Sequence, residues 1–208
     1  MKKTKMTIAV VAALAGPPSA GAAIYQFNAN LRGANEVPST ISAASGVATL
    51  AYNDLGTLSF TDDVYSFSMS VFSLTGGVAA SGFHIHGAAT AAENAPVRVN
   101  LGVGPFVSLN VGGGTLLVGG SNVPVSTIPA TVAPPSPNAG HPPMSFLAML
   151  QSQLAYVNVH TPGAFSGGEI RGQLIEVTLV PEPEAYALML AGLGLVGWVA
   201  ARRRRNGV

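Results

Sequence analysis

Cysteine is absent from all 208 residues. That absence excludes a thiol nucleophile, Fe–S ligation, c-type haem attachment and cysteine-based zinc sites. It also excludes disulfides, so an exported domain must be held by apolar burial and sheet hydrogen bonding. Basic charge is scarce where a nucleic acid would need it. The formal net charge is +1, yet the basic residues crowd the two ends. Between Ile24 and Val180 the acids are Glu36, Asp54, Asp62, Asp63, Glu93, Glu169 and Glu176, while the bases are Arg32, Arg98 and Arg171. Seven against three leaves −4, which offers no footprint for nucleic acid. There is no internal repeat. A general acid–base pair is also missing: Asp62 and Asp63 are adjacent, so a strand sends them to opposite faces. Ser66, Ser68 and Ser70 lie along a strand face with no turn to expose a nucleophile.

What is present begins with the two ends. Lys2, Lys3 and Lys5 precede an apolar run from Met6 to Ala15, then Gly16-Pro17-Pro18 and the small residues Ser19 to Ala23. This order describes a secretory signal over residues 1–23, cleaved after Ala22 or Ala23. Its apolar run is much shorter than the ~20 residues a membrane span needs. At the other end Ala185 to Ala201 carries no charge and is followed by Arg202, Arg203, Arg204 and Arg205. As a helix it would reach roughly 26 Å, a little under a hydrocarbon core of about 30 Å. Local thinning and snorkelling arginines accommodate that shortfall. The arginines should stay cytoplasmic, leaving everything before them outside.

Val180-Pro181-Glu182-Pro183 stands immediately before that stretch. Residues 181–208 thus resemble the PEP-CTERM sorting signal of Gram-negative bacteria: a Pro-Glu-Pro motif, a helix, then a basic cluster. The resemblance implies recognition by an exosortase-type enzyme and cleavage near Pro181, Glu182 and Pro183. It implies a chain held transiently in the inner membrane, then released to the cell surface or extracellular matrix. The setting is associated with exopolysaccharide and biofilm, which makes matrix polysaccharides or matrix proteins the expected partners.

About 157 residues remain between the signals, 24–180, enough for one domain with a real core. Tyr25, Phe27, Ala29 and Leu31 alternate with polar residues, the period-2 pattern of a half-buried strand. Val47 to Tyr52 follows, then an Asn53–Gly56 turn with Thr57 to Phe60 as its expected partner. Tyr65, Phe67, Met69 and Val71 alternate with serines. Phe83 to His86, Val97 to Leu101, Phe106 to Val111, Leu116 to Val118, Tyr156 to His160 and Glu169 to Leu179 complete the set. Regular short strands with Gly and Pro turns predict an all-β, antiparallel sandwich or barrel. Residues 122–143 are Pro-rich and read as a loop containing an exposed His141. Phe146, Leu147, Leu150 and Leu154 recur at helical spacing, with Ser145 as N-cap, so one short helix is expected there.

Chemistry concentrates in three histidines. His84 and His86 in Gly-Phe-His-Ile-His-Gly share a strand face, with Cα atoms roughly 6.6 Å apart. Phe83 and Ile85 point the other way. His160 closes Tyr-Val-Asn-Val-His-Thr. If Thr161 to Gly168 is a hairpin loop, Glu169 comes near His160, while Asn158 and Arg171 share faces with them. Should these faces meet, three imidazoles would converge on one Cu(II) or Zn(II) ion. Glu169 would bind weakly or, with Arg171 and Asn158, orient the ligands from behind; the alternative is that Arg171 ties Glu169 down as a simple ion pair. The other reading of the same pattern is the solvent-facing side of any sheet. Asn35-Glu36-Val37-Pro38 reads as a structural turn with Glu36 pairing locally.

Four segments together carry a second resemblance. They are Phe27 to Pro38, Phe83 to Gly87, Tyr156 to Thr161, and Gly167-Gly168-Glu169-Ile170-Arg171-Gly172-Gln173-Leu174. In this order they look like the CHRD domain, named for chordin, over about Tyr25 to Val177, with 102–143 departing from the pattern. The family implies an immunoglobulin-like β fold and no established chemistry. Gly-Phe-His-Ile-His-Gly also resembles the copper strand of Cu/Zn superoxide dismutases. No zinc loop with a bridging histidine, no further copper histidine and no disulfide pair accompanies it. Three functions are therefore weighed. The first is a non-catalytic exported β domain with a metal site at His84, His86 and His160. The second is a copper-dependent oxidoreductase, and the third a purely structural or adhesive matrix module. Neutral imidazoles are needed for ligation, so metal binding should weaken below about pH 6.

Overall fold

The period-2 stretches form the two longest pairings of the protein. In this computed structural model, which describes residues 21–77, 80, 82–128, 140–177 and 183–205, β1 (Ile24–Arg32), β2 (Ser45–Asn53) and β3 (Val64–Phe72) run antiparallel in full register. Their alternate residues face one another across the ladders: Phe27 opposite Leu50 opposite Phe67, and Ala29 opposite Ala48 opposite Met69. β4 (Gly82–His86), β5 (Val97–Asn100), β6 (Val107–Gly112), β7 (Thr115–Pro124), β8 (Tyr156–His160), β9 (Ile170–Gln173) and β10 (Ile175–Glu176) follow. The strand order is β5-β4-β8-β9-β1-β2-β3-β7-β6, with β10 beside β1.

This is one continuous antiparallel sheet curled into a half-barrel, sandwich-like in section. The expected two-sheet immunoglobulin arrangement holds only in that coarser sense. The seam explains why. β1 matches β2 along its whole length but meets β9 only at Arg32 opposite Arg171, and β10 at Phe27 and Asn28. So narrow a junction lets the sheet turn sharply, and both halves bury one shared core. Ile85, Val157, Val159 and Ile170 from one half join Leu50, Met69, Val71 and Leu116 from the other. Each such side chain stabilises the fold by about 1.5–3 kcal/mol on burial, the role disulfides would otherwise share.

α1 (Phe146–Gln151) closes one end of this core with Phe146, Met149 and Leu150. Ser145 caps it by accepting from the Ala148 N–H, as its position predicts, while Leu154 lies beyond the last turn. Thr57 to Phe60 is not a strand: Leu58 is fully exposed and the segment is a turn. β2 instead pairs with β3, whose longer alternation offers a full apolar face. The Pro-rich stretch begins later than expected, since Asn122 to Pro124 end β7 and Val125 to Thr127 form a 3-10 turn. His141 is not a bare loop residue, because its Nε2 lies 3.1 Å from Glu93 Oε2. The last expected strand breaks at Leu174, which turns into the core and donates its N–H to the Ala155 carbonyl.

The chain divides into two units, Met1–Glu176 and Val177–Val208. The second contains α2 (Pro183–Arg205). The expected membrane crossing is not confirmed: among the described residues no helix is long and apolar enough to span a bilayer. Residues 1–20 of the expected N-terminal signal, Pro181 and Glu182 lie outside the described residues.

Candidate metal centre

β8 lies inside the sheet between β4 and β9 and is buried on both faces, where a strand of a simple half-barrel would turn one face to solvent. Val157 and Val159 enter the core, while Tyr156, Asn158 and His160 point the other way. On that second face β4 sets Gly82 opposite His160, His84 opposite Asn158 and His86 opposite Tyr156. The i, i+2 spacing of His84 and His86 and the β4–β8 register therefore bring three imidazoles together. Ring centroids are 5.5 Å apart for His84–His86, 5.3 Å for His84–His160 and 6.1 Å for His86–His160. One nitrogen from each lies within 4.8 Å of the others. Tetrahedral ligands at 2.0–2.1 Å from zinc stand roughly 3.3 Å apart, so a closure of at most about 1.5 Å brings the nitrogens to ligand spacing.

The nitrogens are poised for ligation. His86 Nδ1 is 2.8 Å from the Ala95 carbonyl and His160 Nδ1 is 3.1 Å from the Ser166 carbonyl. Donating those N–H groups leaves both Nε2 atoms as acceptors. His86 Nε2, His160 Nε2 and His84 Nδ1 are all buried with no hydrogen-bond partner. Two acceptor lone pairs and the His84 Nδ1 stand without partners, an unsatisfied arrangement that a cation satisfies once His84 carries its proton on Nε2. Burial depresses the pKa of His84, and the neighbouring His160 adds to the effect. His86 is pushed down to about 4, first by burial, then by His84, His160 and Arg171, against the pull of the Ala95 carbonyl. Both rings are thus held neutral, the form that binds metal.

Of the residues expected to orient the histidines, Arg171 acts on the loop that holds His86, whereas Glu169 is taken up by other partners. Glu169 is fully buried, and its carboxylate is not part of the histidine cluster. Its carboxylate accepts from Ser42 Oγ at 2.6 Å, Thr75 Oγ1 at 2.6 Å, the Thr75 N–H at 2.8 Å and Thr161 Oγ1 at 2.5 Å. Burial raises its pKa, but these donors outweigh it and hold the carboxyl below its usual range. Glu169 fastens the hairpin to two distant loops. Arg171 forms no ion pair with it. The guanidinium lies 3.4 Å over the Tyr156 ring and donates to the carbonyls of Glu93 at 2.7 Å and Thr90 at 2.9 Å, and to Asn94 Oδ1 at 3.1 Å. That fork pins the loop whose Ala95 carbonyl holds His86. Tyr156 reinforces it, stacked on His86 at 5.0 Å and 11°, with its hydroxyl accepting from the Ala95 N–H.

Asn158 sits between His84 and an acid the sequence placed elsewhere. Glu36 is not confined to its local contact with the Val37 backbone: it is 7 % exposed and takes a long, 3.5 Å hydrogen bond from Asn158 Nδ2. Its Oε1 has no partner. Burial pushes its pKa up to about 7 despite the charge of Arg171 and the Asn158 amide. Gly168 packs directly on this pair. Its φ is +140°, and a Cβ there would stand 2.8 Å from both Glu36 oxygens. Tyr156 was recoverable from the sequence, because it lies two residues before Asn158 on one strand face. The Ala95 and Ser166 carbonyls were not, since backbone acceptors carry no side-chain signal.

Against known families, residues 27–174 match the CHRD domain and residues 179–205 the PEP-CTERM protein-sorting motif. The match to the first covers most of the chain, which therefore belongs to the CHRD-domain family. The second makes it an exported bacterial surface protein recognised by exosortase. No curated protein and no solved structure matches the chain.

Proposed function

We propose that the β domain is a non-catalytic metal-binding module displayed at the cell surface, holding one Cu(II) or Zn(II) ion through His84, His86 and His160. The observation that supports this reading most directly is the set of three buried, unpartnered imidazole nitrogens facing one another. Two of the rings are fixed from behind by backbone carbonyls, as ligating histidines generally are. An all-nitrogen site with room for a further ligand suits both ions, and Cu(II) should bind the tighter. The sorting tail supports a finer itinerary: transient anchorage in the inner membrane of a Gram-negative cell, processing near Pro181, Glu182 and Pro183, then residence in a polysaccharide-rich matrix.

Equilibrium dialysis of the full chain against Cu(II) and Zn(II) tests the metal reading. One ion per chain is expected, lost in the His84→Ala, His86→Ala, His160→Ala triple variant. Unchanged binding in that variant removes the site. Copper-loaded protein that outperforms free copper in superoxide dismutation would replace the non-catalytic reading with an oxidoreductase.

A further inference from the structure

A second concavity has none of the three histidines in its lining. Where β4 sends His84 and His86 outward, Phe83 and Ile85 enter the core, and that core opens near α1 into a cavity of about 250 Å³. Val125, Ile128, Phe146 and Met149 form its apolar wall, and the hydroxyl-bearing Thr61 and Ser126 stand at its exposed rim. An apolar cavity of about 150 Å³ already accommodates benzene, so this one has room for roughly ten non-hydrogen atoms. Two of its lining side chains are methionines, Met144 and Met149, whose unbranched thioethers adapt to the shape of a guest. Phe60 also lines it and is 53 % exposed, an aromatic surface left in water by the fold itself.

We infer that this cavity binds a small amphiphile: an apolar ring or short acyl body inserted against Val125, Ile128, Phe146 and Met149, with one hydroxyl or carboxylate at the Thr61 and Ser126 rim. The polarity of the lining dictates that orientation. Apolar walls offer nothing to a polar head, whereas the rim hydroxyls donate and accept. Arg98 also lines the cavity, its Nε donating to the Gly87 carbonyl at 2.6 Å. The walls are set by α1, the 3-10 turn after β7 and the β2–β3 loop, and none of the three histidines contributes. The inference is independent of metal binding.

4-Fluorobenzyl alcohol, with a ring and one hydroxyl, is a suitable probe, read by ¹⁹F NMR line broadening on the full chain. Saturable binding with a Kd of about 1 mM or tighter is expected for a single buried ring. Ser126→Trp and Thr61→Trp place an indole at the mouth from exposed positions, and each should weaken binding at least tenfold without lowering Tm. Octanoate that displaces the probe assigns an acyl guest, and its failure to displace assigns a ring. Broadening that never saturates, or that is unchanged in both tryptophan variants, overturns the inference.

Discussion

Replacing Glu36 by Gln should make the protein more stable at neutral and alkaline pH, and the gain should vanish in acid. The carboxyl is 7 % exposed, its Oε1 has no partner, and its pKa rises from the ordinary 4.5 to about 7. The folded state therefore binds this proton more tightly than the unfolded chain does. Above pH 7 the ionised group disfavours folding by about 3 kcal/mol, and the penalty disappears as pH falls from about 7 to 4.5. Gln keeps the shape and can still reach Asn158, but carries no charge to desolvate. A gain of about 2–3 kcal/mol at pH 8 is expected, or roughly 4–12 °C in Tm for a domain of this size. At pH 4.5 the two proteins should match. Urea unfolding followed by far-UV circular dichroism at pH 8, 6 and 4.5 measures this. Wild type alone is not diagnostic, because His86 titrates in the opposite sense: held near 4 instead of 6.5, it costs stability as pH falls below 6.5. That contribution is common to both proteins and cancels in their difference. A variant less stable at pH 8, or a gain equal at all three values, refutes the reasoning.

Other perturbations separate the binding site from its supports. Arg171→Met should release the Thr90–Asn94 loop and weaken Cu(II) binding by about 10–100-fold, the usual effect of losing a ligand's support; Arg171→Lys should not restore it, because a point charge cannot span three acceptors. Dialysis of both variants at equal folded fraction decides this. Gly82→Ala places a Cβ 2.9 Å from the His84 ring, so Cu(II) affinity should fall about tenfold while stability changes by less than about 1 kcal/mol. Glu169→Gln, outside the histidine cluster, should do the reverse. It should lower stability by about 2–4 kcal/mol through lost charge-assisted hydrogen bonds, visible as a lower Tm, with Cu(II) affinity per folded molecule unchanged. Because burial keeps His84 and His86 neutral below the usual imidazole range, Cu(II) binding should persist at pH 5.5, below the pH 6 that free imidazoles suggest. Loss of binding between pH 7 and 6 would contradict that.

The sequence by itself determined which residues face the core and which face outward on each strand, because a two-residue period leaves no other choice. Phe27, Leu50, Phe67 and Ile85 are buried for that reason, and His84 and His86 share a face for the same one. It also determined export and sorting, since those signals are read as linear order. Only the tertiary structure decided who meets whom. That β8 lies beside β4, so that His160 joins the pair, depends on pairing between segments more than seventy residues apart. Glu169 and Glu36 illustrate the limit: strand parity placed the first toward the histidines and turn chemistry kept the second local. Folding instead gave Glu169 to three hydroxyls and a backbone amide, and brought Glu36 to Asn158. A carboxylate buried without a counter-ion goes wherever donors converge, and donors from distant loops have no signature in the local sequence.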